Sequence, residues 1–564
     1  MKRSLLAALA ALALPLPAFA SGVIDNVNGI ALDPTGKVIR FRALVIDDEG
    51  KVEKLLPGRY EAPPRKKKLK KGESWPKGLD FQLDGGGKTL IPGLIDSHGQ
   101  VMALGLSHIT LDLSDTRSLA EAQARIRDYV AANPGRKWII GTGWDQDRWG
   151  LGRFPTAAEL DAAAGDVPVW LERVDGHAGW ANSIAMRAAN LTATSKAPSG
   201  GRIEMAGGKP SGVFVDKAME LIQRAVPAPA PKDRDIALEK AQQQLLANGI
   251  TAIADMGTSI EDWQAFRRSA DRGALRVRIM SYALGLENMV LIAGPEPTPW
   301  LYDDHLRMAG LKLGLDGALG SRGAWLKADY ADAAGQRGYP LIPATQLRNV
   351  MSRAAMDNFQ IAVNATGDAA NSELLDAITE LGQTYKGDRR WRIEHAELVD
   401  PVDLPRFGQY SIVASMQPVR QASGWRTALA RVGEARLKGG YAWKTMIDNR
   451  APLAFGSGAP GQTVSPFTGM AVAMSREDAN GEPAGGWMPQ QRISFEAALD
   501  GYTRQAAQAA FAEKRFGSLA PGQRADFLLI DRDISVARPA DIRATQVLET
   551  WIGGKRVYMR GVKP

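Results

Sequence analysis

The sequence predicts an α/β fold in which a (β/α)8 barrel carries a small β domain and an inserted lobe. Through most of the chain, short apolar runs alternate with longer stretches whose apolar residues recur at helical spacing, which indicates parallel strands joined by helices. With this many strand–helix repeats, a closed barrel is favoured over an open sheet. Both chain ends instead show short apolar runs separated by turn residues, which is typical of small antiparallel sheets.

The amino-acid composition is that of an ordinary globular protein, and it removes several kinds of chemistry. Of the 564 residues, 45% are hydrophobic and 23% are charged, so wholesale disorder is excluded. The absence of cysteine excludes disulfides, thiolate zinc sites, iron–sulfur clusters and cysteine nucleophiles. Because the chain has only five histidines, a metal site would have few imidazole ligands to use.

The N-terminus, residues 1–20, has the pattern of a secretory signal peptide. Two basic residues precede an apolar run at 5–16, and the small residues Ala18 and Ala20 form a cleavage site. The apolar run is too short to anchor the chain across a bilayer. We therefore expect cleavage after Ala20 and a periplasmic or secreted protein without a membrane span. A buried N-terminal helix is the alternative.

The net charge of +8 is concentrated in one basic run, RKKKLKK at 65–71. Such a run either contacts anionic lipid or nucleic acid, or forms a solvated loop. Two prolines precede it, Gly72 follows it, and no aromatic residue is interleaved for base stacking. We therefore expect a loop and no nucleic-acid partner.

The two β-rich chain ends, residues 21–90 and 515–564, are expected to form one composite domain. The apolar run at 38–46 is followed by turn residues, and the Gly553-Gly554 pair near the C-terminus is a hairpin signal.

The barrel is expected over residues 91–514, with an inserted lobe over one end of it at about 144–215. Candidate strands are the short buried runs at 90–96, 138–142, 167–173, 251–254, 277–282, 311–315, 360–364, 391–394, 412–416 and 453–455. One or two of these must lie outside an eight-stranded barrel. The proposed lobe is rich in tryptophan.

Polar and titratable residues cluster where the candidate strands end. In a parallel barrel, reactive side chains lie at the C-terminal ends of the strands, so these residues are expected to surround one mouth. They are His98, Gln100, Lys312, Asp316, Asn364, His395, Gln417, Arg420 and Gly458. No glycine-rich phosphate loop stands between a strand and a helix, so nucleotide chemistry has little support.

Several motifs resemble those of the amidohydrolase superfamily. They are PGLIDSH at 92–98, KLGLDG at 312–317, EHA at 394–396 and GSLAPGQRAD at 517–526. The segment ERVDGHAGWANS at 172–183 is similar to the inserted lobe of the type 3 branch, which includes N-substituted formamide deformylase-like enzymes. The resemblance covers nearly all of the chain after the N-terminal segment. It implies a distorted (β/α)8 TIM barrel and a β-sandwich domain formed from both chain ends.

The resemblance also implies a site for one or two divalent metal ions, usually zinc. In the family pattern the first strand supplies two histidines, a carboxylated lysine bridges the metals, and the fifth and sixth strands each supply a histidine. The eighth strand supplies an aspartate that takes a proton from metal-bound water. Such metals lower the pKa of that water and polarise the carbonyl that is cleaved.

This chain matches the family pattern only in part. His98, Lys312 and His395 stand at ligand positions and are the candidate metal ligands. Gln100 and Asn364 replace histidines, and their neutral amide oxygens are poor zinc ligands.

The positions for proton transfer and charge differ as well. Gly458 stands where the family has its general base, which leaves no confident catalytic residue. Arg420 stands where the branch often has histidine, and would repel a cation by about 4 kcal/mol at about 4 Å and an effective dielectric of about 20. We therefore expect at most one zinc or other divalent ion, or a metal-free site.

The remaining candidates are substrate-binding residues, namely His177, Arg420, Trp144 and Gln417. His177 either faces the mouth or makes a structural hydrogen bond. Trp144 either lines an apolar pocket or packs in the lobe. Without a metal, Lys312 would be an ammonium paired with a carboxylate such as Asp316.

Two functions follow from these patterns. The first is an exported hydrolase of amide or formamide bonds, which are non-peptide carbon–nitrogen bonds, with a degraded metal site. The second is a catalytically inactive pseudoenzyme in which Lys312 and Arg420 bind a small carboxylate ligand. Either function takes a small molecule as its partner, and a homodimer is compatible with both.

Overall fold

The computed structural model describes residues 21–61 and 79–562. The predicted signal peptide at 1–20 and the basic run at 65–71 lie outside the described residues. Among the helices within the described ranges, none combines the length and the apolar character that crossing a bilayer requires.

The strands of the described residues form four sheets. In chain order they are β1 (Gly22–Asp25), β2 (Asn28–Leu32), β3 (Val38–Phe41), β4 (Ala43–Ile46), β5 (Val52–Leu56), β6 (Phe81–Asp84), β7 (Thr89–Pro92), β8 (Leu94–Gly99), β9 (Leu111–Asp112), β10 (Ile139–Trp144), β11 (Val169–Arg173), β12 (Ala178–Ala181), β13 (Gly201–Ala206), β14 (Lys209–Asp216), β15 (Ile250–Thr258), β16 (Arg278–Leu284), β17 (Leu306–Gly314), β18 (Gln360–Ala365), β19 (Arg392–His395), β20 (Val413–Met416), β21 (Leu453–Phe455), β22 (Phe527–Ile530), β23 (Val547–Ile552) and β24 (Lys555–Met559).

The α-helices lie mainly between the strands. They are α1 (Val101–Ser107), α2 (Leu119–Ala132), α3 (Ala157–Ala164), α4 (Ser183–Ala188), α5 (Glu220–Gln223), α6 (Pro231–Ala247), α7 (Ile260–Asp271), α8 (Gly285–Ala293), α9 (Ala344–Met356), α10 (Asp368–Thr384), α11 (Leu404–Gln409), α12 (Pro418–Val432), α13 (Trp443–Asp448), α14 (Pro466–Ser475), α15 (Phe495–Gly501), α16 (Arg504–Ala509) and α17 (Pro539–Arg543). Several begin at a side-chain cap; Ser259, for example, accepts the backbone N–H of Asp262 at the start of α7.

Eight parallel strands form the barrel, in the order β8, β15, β16, β17, β18, β19, β20 and β21. The two edges of this sheet meet where the backbone N–H of Gly458, just after β21, donates to the carbonyl oxygen of His98 at 2.7 Å. The predicted (β/α)8 barrel is therefore confirmed. Of the candidate strands, the runs at 138–142 and 167–173 lie outside it.

Those two runs belong to the lobe, defined here as residues 111–216. Its six-stranded sheet has the order β13, β14, β12, β11, β10 and β9, so the lobe sheet begins at Leu111 rather than near residue 144. The pairing of β9, β10 and β11 is parallel, as in the barrel. Alternation of strands and helices therefore does not distinguish these strands from barrel strands.

Strands from both chain ends pair with each other. The six-stranded sheet has the order β24, β23, β22, β7, β2 and β3, and the four-stranded sheet has the order β5, β4, β1 and β6. Side chains of both sheets, including Ile24, Leu44, Phe527 and Trp551, share one hydrophobic core.

The N-terminal ends of the barrel strands, here called the floor, are fastened to this β structure by a buried ion pair. Arg278, the first residue of β16, donates Nε and Nη2 to Asp526 at 2.7 and 2.9 Å. Asp526 also accepts the backbone N–H of Gly553 at 2.7 Å. Both charged side chains are buried. The opposite ends of the strands form the mouth.

Candidate active site

The first barrel strand positions His98 at the mouth. Asp96 accepts the backbone N–H of His98 at 3.0 Å, and it also accepts the backbone N–H and the hydroxyl of Ser457 at 2.9 and 2.6 Å. Because Ser457 follows β21, these bonds hold the two edges of the barrel sheet together. Burial raises the pKa of Asp96 to about 6.

A chain of hydrogen bonds runs through the barrel interior to His98. The two carboxylate oxygens of Glu394 accept from His98 Nδ1 at 2.6 Å and from Arg392 Nε at 2.7 Å. Arg392 also donates to the hydroxyl of Tyr282 at 3.2 Å, and that hydroxyl donates to Gln360 Oε1 at 2.6 Å. Arg392 and Glu394 are two residues apart on β19, so both face the interior.

These hydrogen bonds, together with burial, fix the charge state and the tautomer of His98. Burial raises the pKa of Glu394, but the charge of Arg392 and the hydrogen bond from His98 outweigh burial and lower it to about 2. Burial lowers the pKa of His98 to about 4, although Glu394 opposes this change. Glu394 is thus an ionised acceptor, and the single proton of the neutral imidazole lies on Nδ1. Nε2 of His98 keeps its lone pair.

His395 ends β19 and lies beside His98. Its φ of +75° departs from extended backbone, so Glu394 and His395 both serve the mouth although they are consecutive. The ring centroids of His395 and His98 are 4.7 Å apart. Nδ1 of His395 donates to Gln417 Oε1 at 2.6 Å, and Arg420 Nη1 lies 3.2 Å from the same nitrogen. Burial and the charge of Arg420 hold the pKa of His395 well below its usual value.

Lys312 is held by a neutral partner. Its ammonium donates to Asn364 Oδ1 on the adjacent strand. The ion pair with Asp316 that the sequence suggested is not formed, because the Asp316 carboxylate accepts the backbone N–H groups of Thr366 and Gly367 at 2.8 Å each. Burial lowers the pKa of Lys312 to about 8 and raises the pKa of Asp316 to about 7.

Gln100 and Gly458 occupy the remaining predicted positions. Gln100 is exposed and donates its amide to the carbonyl oxygen of Met256 at 3.2 Å, so it lies along the rim of the mouth. Gly458 has φ +72°, and a Cβ added there would lie 3.6 Å from Gln417 Cγ and 3.8 Å from Arg420 Cδ. Position 458 therefore faces the group that surrounds His395.

Besides Arg392, which is paired with Glu394, the cations Lys312 and Arg420 stand at the mouth. Arg420 Nη1 lies 3.4 Å from Glu397 Oε1, and the other oxygen of Glu397 accepts the hydroxyl of Tyr441 at 2.9 Å. The charges of both cations lower the pKa of His395, so both act on the centre of the mouth. Among the described residues, no carboxylate forms an ion pair with Lys312.

The lobe brings His177 to the mouth, in the turn between β11 and β12. Its Nδ1 is hydrogen-bonded to Asp216 Oδ1 at 2.8 Å, and its backbone N–H donates to Asp175 Oδ1 at 3.0 Å. Burial alone lowers the pKa of His177, but Asp216 and Asp175 raise it overall above the usual value of 6.5. The charge of Arg420 opposes this rise, which places His177 within electrostatic reach of Arg420.

Trp144 lies in the core of the lobe. Its side chain is fully buried and packs against Trp149 and Trp180, and its indole N–H donates to the carbonyl oxygen of Leu171 at 2.8 Å. Of the two interpretations of Trp144 offered by the sequence, packing in the lobe describes its position.

The residues at the mouth do not fit the family's metal centre. In the chain from 21 to 61 and from 79 to 562, no group of three or more His, Asp or Glu residues is placed to hold a metal ion. His98 and His395 offer two neutral imidazoles, but the third candidate ligand, Lys312, is hydrogen-bonded to Asn364. A cation there would also face the charges of Lys312, Arg392 and Arg420.

The sequence predicted no role for several charged residues at this site, although Glu394 lies in the EHA motif. Arg392 and Glu394 alternate on one strand, and that spacing is a usable signal for two side chains that face the barrel interior. Asp216 and Glu397 carried no such signal. The partner of Asp216, for example, is His177 in the turn between β11 and β12, and only the fold brings these residues together.

The chain is similar to known proteins along most of its length. The sequence model of the amidohydrolase family matches residues 83–558. The protein LONG AFTER FAR-RED 3 of Arabidopsis thaliana is 33% identical over 491 residues, which cover 84% of this chain and 82% of that protein. The N-substituted formamide deformylase of Arthrobacter pascens is 26% identical over 497 residues, which cover 85% of this chain and 90% of the enzyme.

A solved structure supports the same relationship. The crystal structure of an uncharacterized metal-dependent hydrolase from Pyrococcus horikoshii superimposes with a TM-score of 0.72 at 26% identity, and the match covers 92% of this chain and 99% of that one.

Proposed function

Since the chain belongs to the amidohydrolase family, and to its type 3 branch as the motifs predicted, we propose that it uses the family's barrel mouth to bind a small carboxylate ligand. In this proposal the family's metal ions are not held, and the chain is a pseudoenzyme.

The observation that carries the proposal is the charge at the mouth. Arg420 and Lys312 both act on His395, and His395 and His98 are neutral. Glu394 is already bound by Arg392 and His98. Glu397, 3.4 Å from Arg420, offsets this charge only in part, because Lys312 has a neutral partner in Asn364. The mouth therefore keeps an excess of positive charge, and an anion would be stabilised there while a metal ion would not.

A carboxylate suits Arg420 by geometry as well as by charge. The guanidinium of Arg420 presents several N–H donors in a plane that matches two carboxylate oxygens. Its contact with Glu397 is long, at 3.4 Å, and its side chain is 15% exposed. Arg420 thus keeps donors for a ligand that enters from solvent.

The proposal is tested on the purified mature protein by metal analysis and by thermal unfolding with formate or acetate. We expect less than a tenth of an equivalent of zinc and a higher melting temperature in the presence of either anion (on the order of a few degrees for ligand far above its Kd). Arg420→Ala removes the rise, whereas Arg538→Ala, an exposed arginine of a surface ion pair, keeps it. Stoichiometric zinc, or an unchanged rise in Arg420→Ala, contradicts the proposal.

Export to the periplasm or medium is part of the same proposal. It rests on the N-terminal pattern, a basic start, an apolar run and the small residues Ala18 and Ala20. Expression in a bacterial host followed by N-terminal sequencing of the exported protein is expected to give Ser21 as the first residue. A chain retained in the cytoplasm with residues 1–20 intact contradicts export.

A second candidate function is hydrolysis of an amide or formamide bond. The observation that favours it is the pair of imidazoles with ring centroids 4.7 Å apart, in which Nε2 of His98 keeps its lone pair because Nδ1 is bound to Glu394. His98 would take a proton from water as the water oxygen attacks the carbonyl carbon, and Arg420 would stabilise the oxyanion that forms. His98 would then return the proton to the nitrogen as the carbon–nitrogen bond breaks. With a pKa of about 4, His98 is a weak base at neutral pH, so this function ranks second.

Formate release from N-benzylformamide measures this second function. The assay is run on chelator-treated protein and on protein supplied with zinc. Activity that is equal in both and is lost in His98→Gln supports hydrolysis by the residues of the chain. If zinc is required, the pseudoenzyme proposal and the base role of His98 both fail.

A further inference from the structure

The lobe is seated on the barrel mouth by glycines. A Cβ at Gly317 or at Gly323 would clash with the Asp216 carboxylate, and a Cβ at Gly461 would clash with the carbonyl oxygen of Val174. Gly317 and Gly323 follow β17, which carries Lys312, whereas Gly461 follows β21. The turn that carries His177 therefore sits between two ends of the barrel strands and close to both.

Asp216 holds His177 in this place through two hydrogen bonds. The backbone N–H of Asp216 donates to the carbonyl oxygen of His177 at 3.0 Å, and Asp216 Oδ1 lies 2.8 Å from His177 Nδ1. The other carboxylate oxygen accepts the hydroxyl of Tyr339 at 3.2 Å. Within the described residues, Nε2 of His177 has no hydrogen bond, and the side chain is 22% exposed. Nε2 is the part of the ring that remains available.

We propose that His177 is the lobe's contribution to the ligand site: its Nε2–H binds the ligand carboxylate together with Arg420, so that lobe and barrel both hold one anion. This inference rests on the proposed function, because it names a second group that binds the same carboxylate.

The charged surroundings of His177 make its binding dependent on pH. Asp216 and Asp175 from the lobe favour the imidazolium, and Arg420 from α12 opposes it. Two residues of the segment after β17 complete these surroundings: the carboxyl group of Asp316 interacts electrostatically with His177, and the hydroxyl of Tyr339 donates to Asp216. Since the pKa of His177 is raised above 6.5, the imidazolium is present below that raised pKa and is lost as the pH increases through it. Carboxylate affinity falls over the same interval.

The test uses trifluoroacetate, which stays ionised throughout, and fluorine NMR of the mature protein between pH 5.5 and pH 9. In the wild type we expect the affinity to fall by about tenfold as His177 loses its proton. His177→Gln removes this step and leaves the weaker binding by Arg420. Asp216→Asn moves the step to lower pH, because the charge that stabilises the imidazolium is gone. A step near pH 8 that both variants keep belongs to Lys312, whose pKa is about 8.

A control variant at another histidine shows whether an effect is specific to His177, and the pattern of results among the variants tests this inference separately from the proposed function. His108→Gln changes a histidine that is hydrogen-bonded to Gln244 outside the mouth, and it leaves both affinity and pH profile unchanged. If Arg420→Ala abolishes binding but His177→Gln and Asp216→Asn keep the wild-type profile, the inference that His177 binds the carboxylate is wrong and the proposed function stands. If the wild type does not bind trifluoroacetate at any pH, both are wrong.

Discussion

The two ends of the barrel each contain a buried arginine–carboxylate pair, but the pairs differ in what else they bind. At the floor, both oxygens of Asp526 accept from Arg278, at 2.7 and 2.9 Å. At the mouth, Glu394 gives one oxygen to Arg392 and the other to His98. At the floor, each carboxylate oxygen is bound to the arginine, so the pair serves the fold. At the mouth, one carboxylate oxygen also orients a histidine.

The cations around each pair show the same difference. At the floor, Arg278 also donates to the carbonyl oxygen of Asp303 at 2.8 Å, and its charge is met by Asp526. At the mouth, the hydrogen-bond partner of Lys312 is the neutral amide of Asn364, and burial lowers the pKa of Lys312 to about 8 although the charge of Glu394 opposes this change. A buried charge without an opposite charge costs stability. The floor therefore stabilises the fold, whereas the mouth holds charges that a ligand would compensate.

The largest effect is expected at the floor. Asp526→Ala leaves Arg278 as an uncompensated buried charge, and loss of one partner of a buried pair costs about 3–5 kcal/mol. Denaturant unfolding followed by circular dichroism measures this loss in the first unfolding transition. The matched variant Asp448→Ala removes an exposed carboxylate that pairs with Lys444, and we expect about 0.5 kcal/mol or less. Equal losses in the two variants would contradict the structural role of the floor pair.

The fold was largely predictable because its signals are local. The eight barrel strands are short buried runs between amphipathic helices, and each run is visible in its own segment of sequence. The boundary of the lobe was not predictable in this way. Strands β10 and β11 are as apolar as barrel strands and pair in parallel too, so only their partners distinguish them.

At the mouth, removal of a charged side chain is expected to increase the free energy of unfolding rather than decrease it. Lys312→Met removes a buried ammonium and is expected to raise stability at pH 7 by about 2 kcal/mol, after the lost hydrogen bond to Asn364 is counted. The pKa of about 8 in the folded protein lies below the ordinary lysine value of 10.5, so between these pH values the unfolded chain binds more protons. The free energy of unfolding of the wild type therefore increases as the pH rises from about 8 to 10.5. The variant has no ammonium at this position and does not show this increase.

Urea unfolding of both proteins at pH 7 and pH 10 measures this difference. Lys444→Met, at an exposed lysine, serves as the control and is expected to shift stability by about 0.5 kcal/mol or less at both pH values. If Lys312→Met is less stable than the wild type at pH 7, the mouth does not carry an uncompensated charge and the contrast with the floor is lost.

The candidate site was predictable only to the extent that strand ends define it. The rule that reactive groups lie at the C-terminal ends of strands brought Lys312, Asn364 and His395 together correctly as neighbours. It did not specify which atoms pair. Lys312 pairs with Asn364 rather than with Asp316. Strand β17 ends at Gly314, and the Asp316 carboxylate beyond it accepts backbone N–H groups instead. Such pairings depend on the positions of strand ends, which a sequence pattern does not determine.

The smallest effect concerns protons rather than stability. Because burial lowers the pKa of His98 to about 4, His98 is expected to stay neutral from pH 8 down to about pH 5, and the ionised Glu394 keeps its proton on Nδ1. His177 is expected to gain its proton above pH 6.5 in the same protein. Nitrogen-15 NMR of the histidine side chains distinguishes the two behaviours, since the chain has only five histidines.

Glu394→Gln makes this last prediction specific to the mouth. The neutral amide offers His98 both a donor and an acceptor, so the preference for a proton on Nδ1 weakens and the nitrogen-15 spectrum shows a mixture of tautomers. His177, whose partner Asp216 is unchanged, keeps its titration. A wild-type His98 that becomes protonated near pH 6.5 would mean that burial and the cations at the mouth do not control this imidazole. In that case the mouth would be an open, solvated rim rather than the buried, positively charged site contrasted here with the floor.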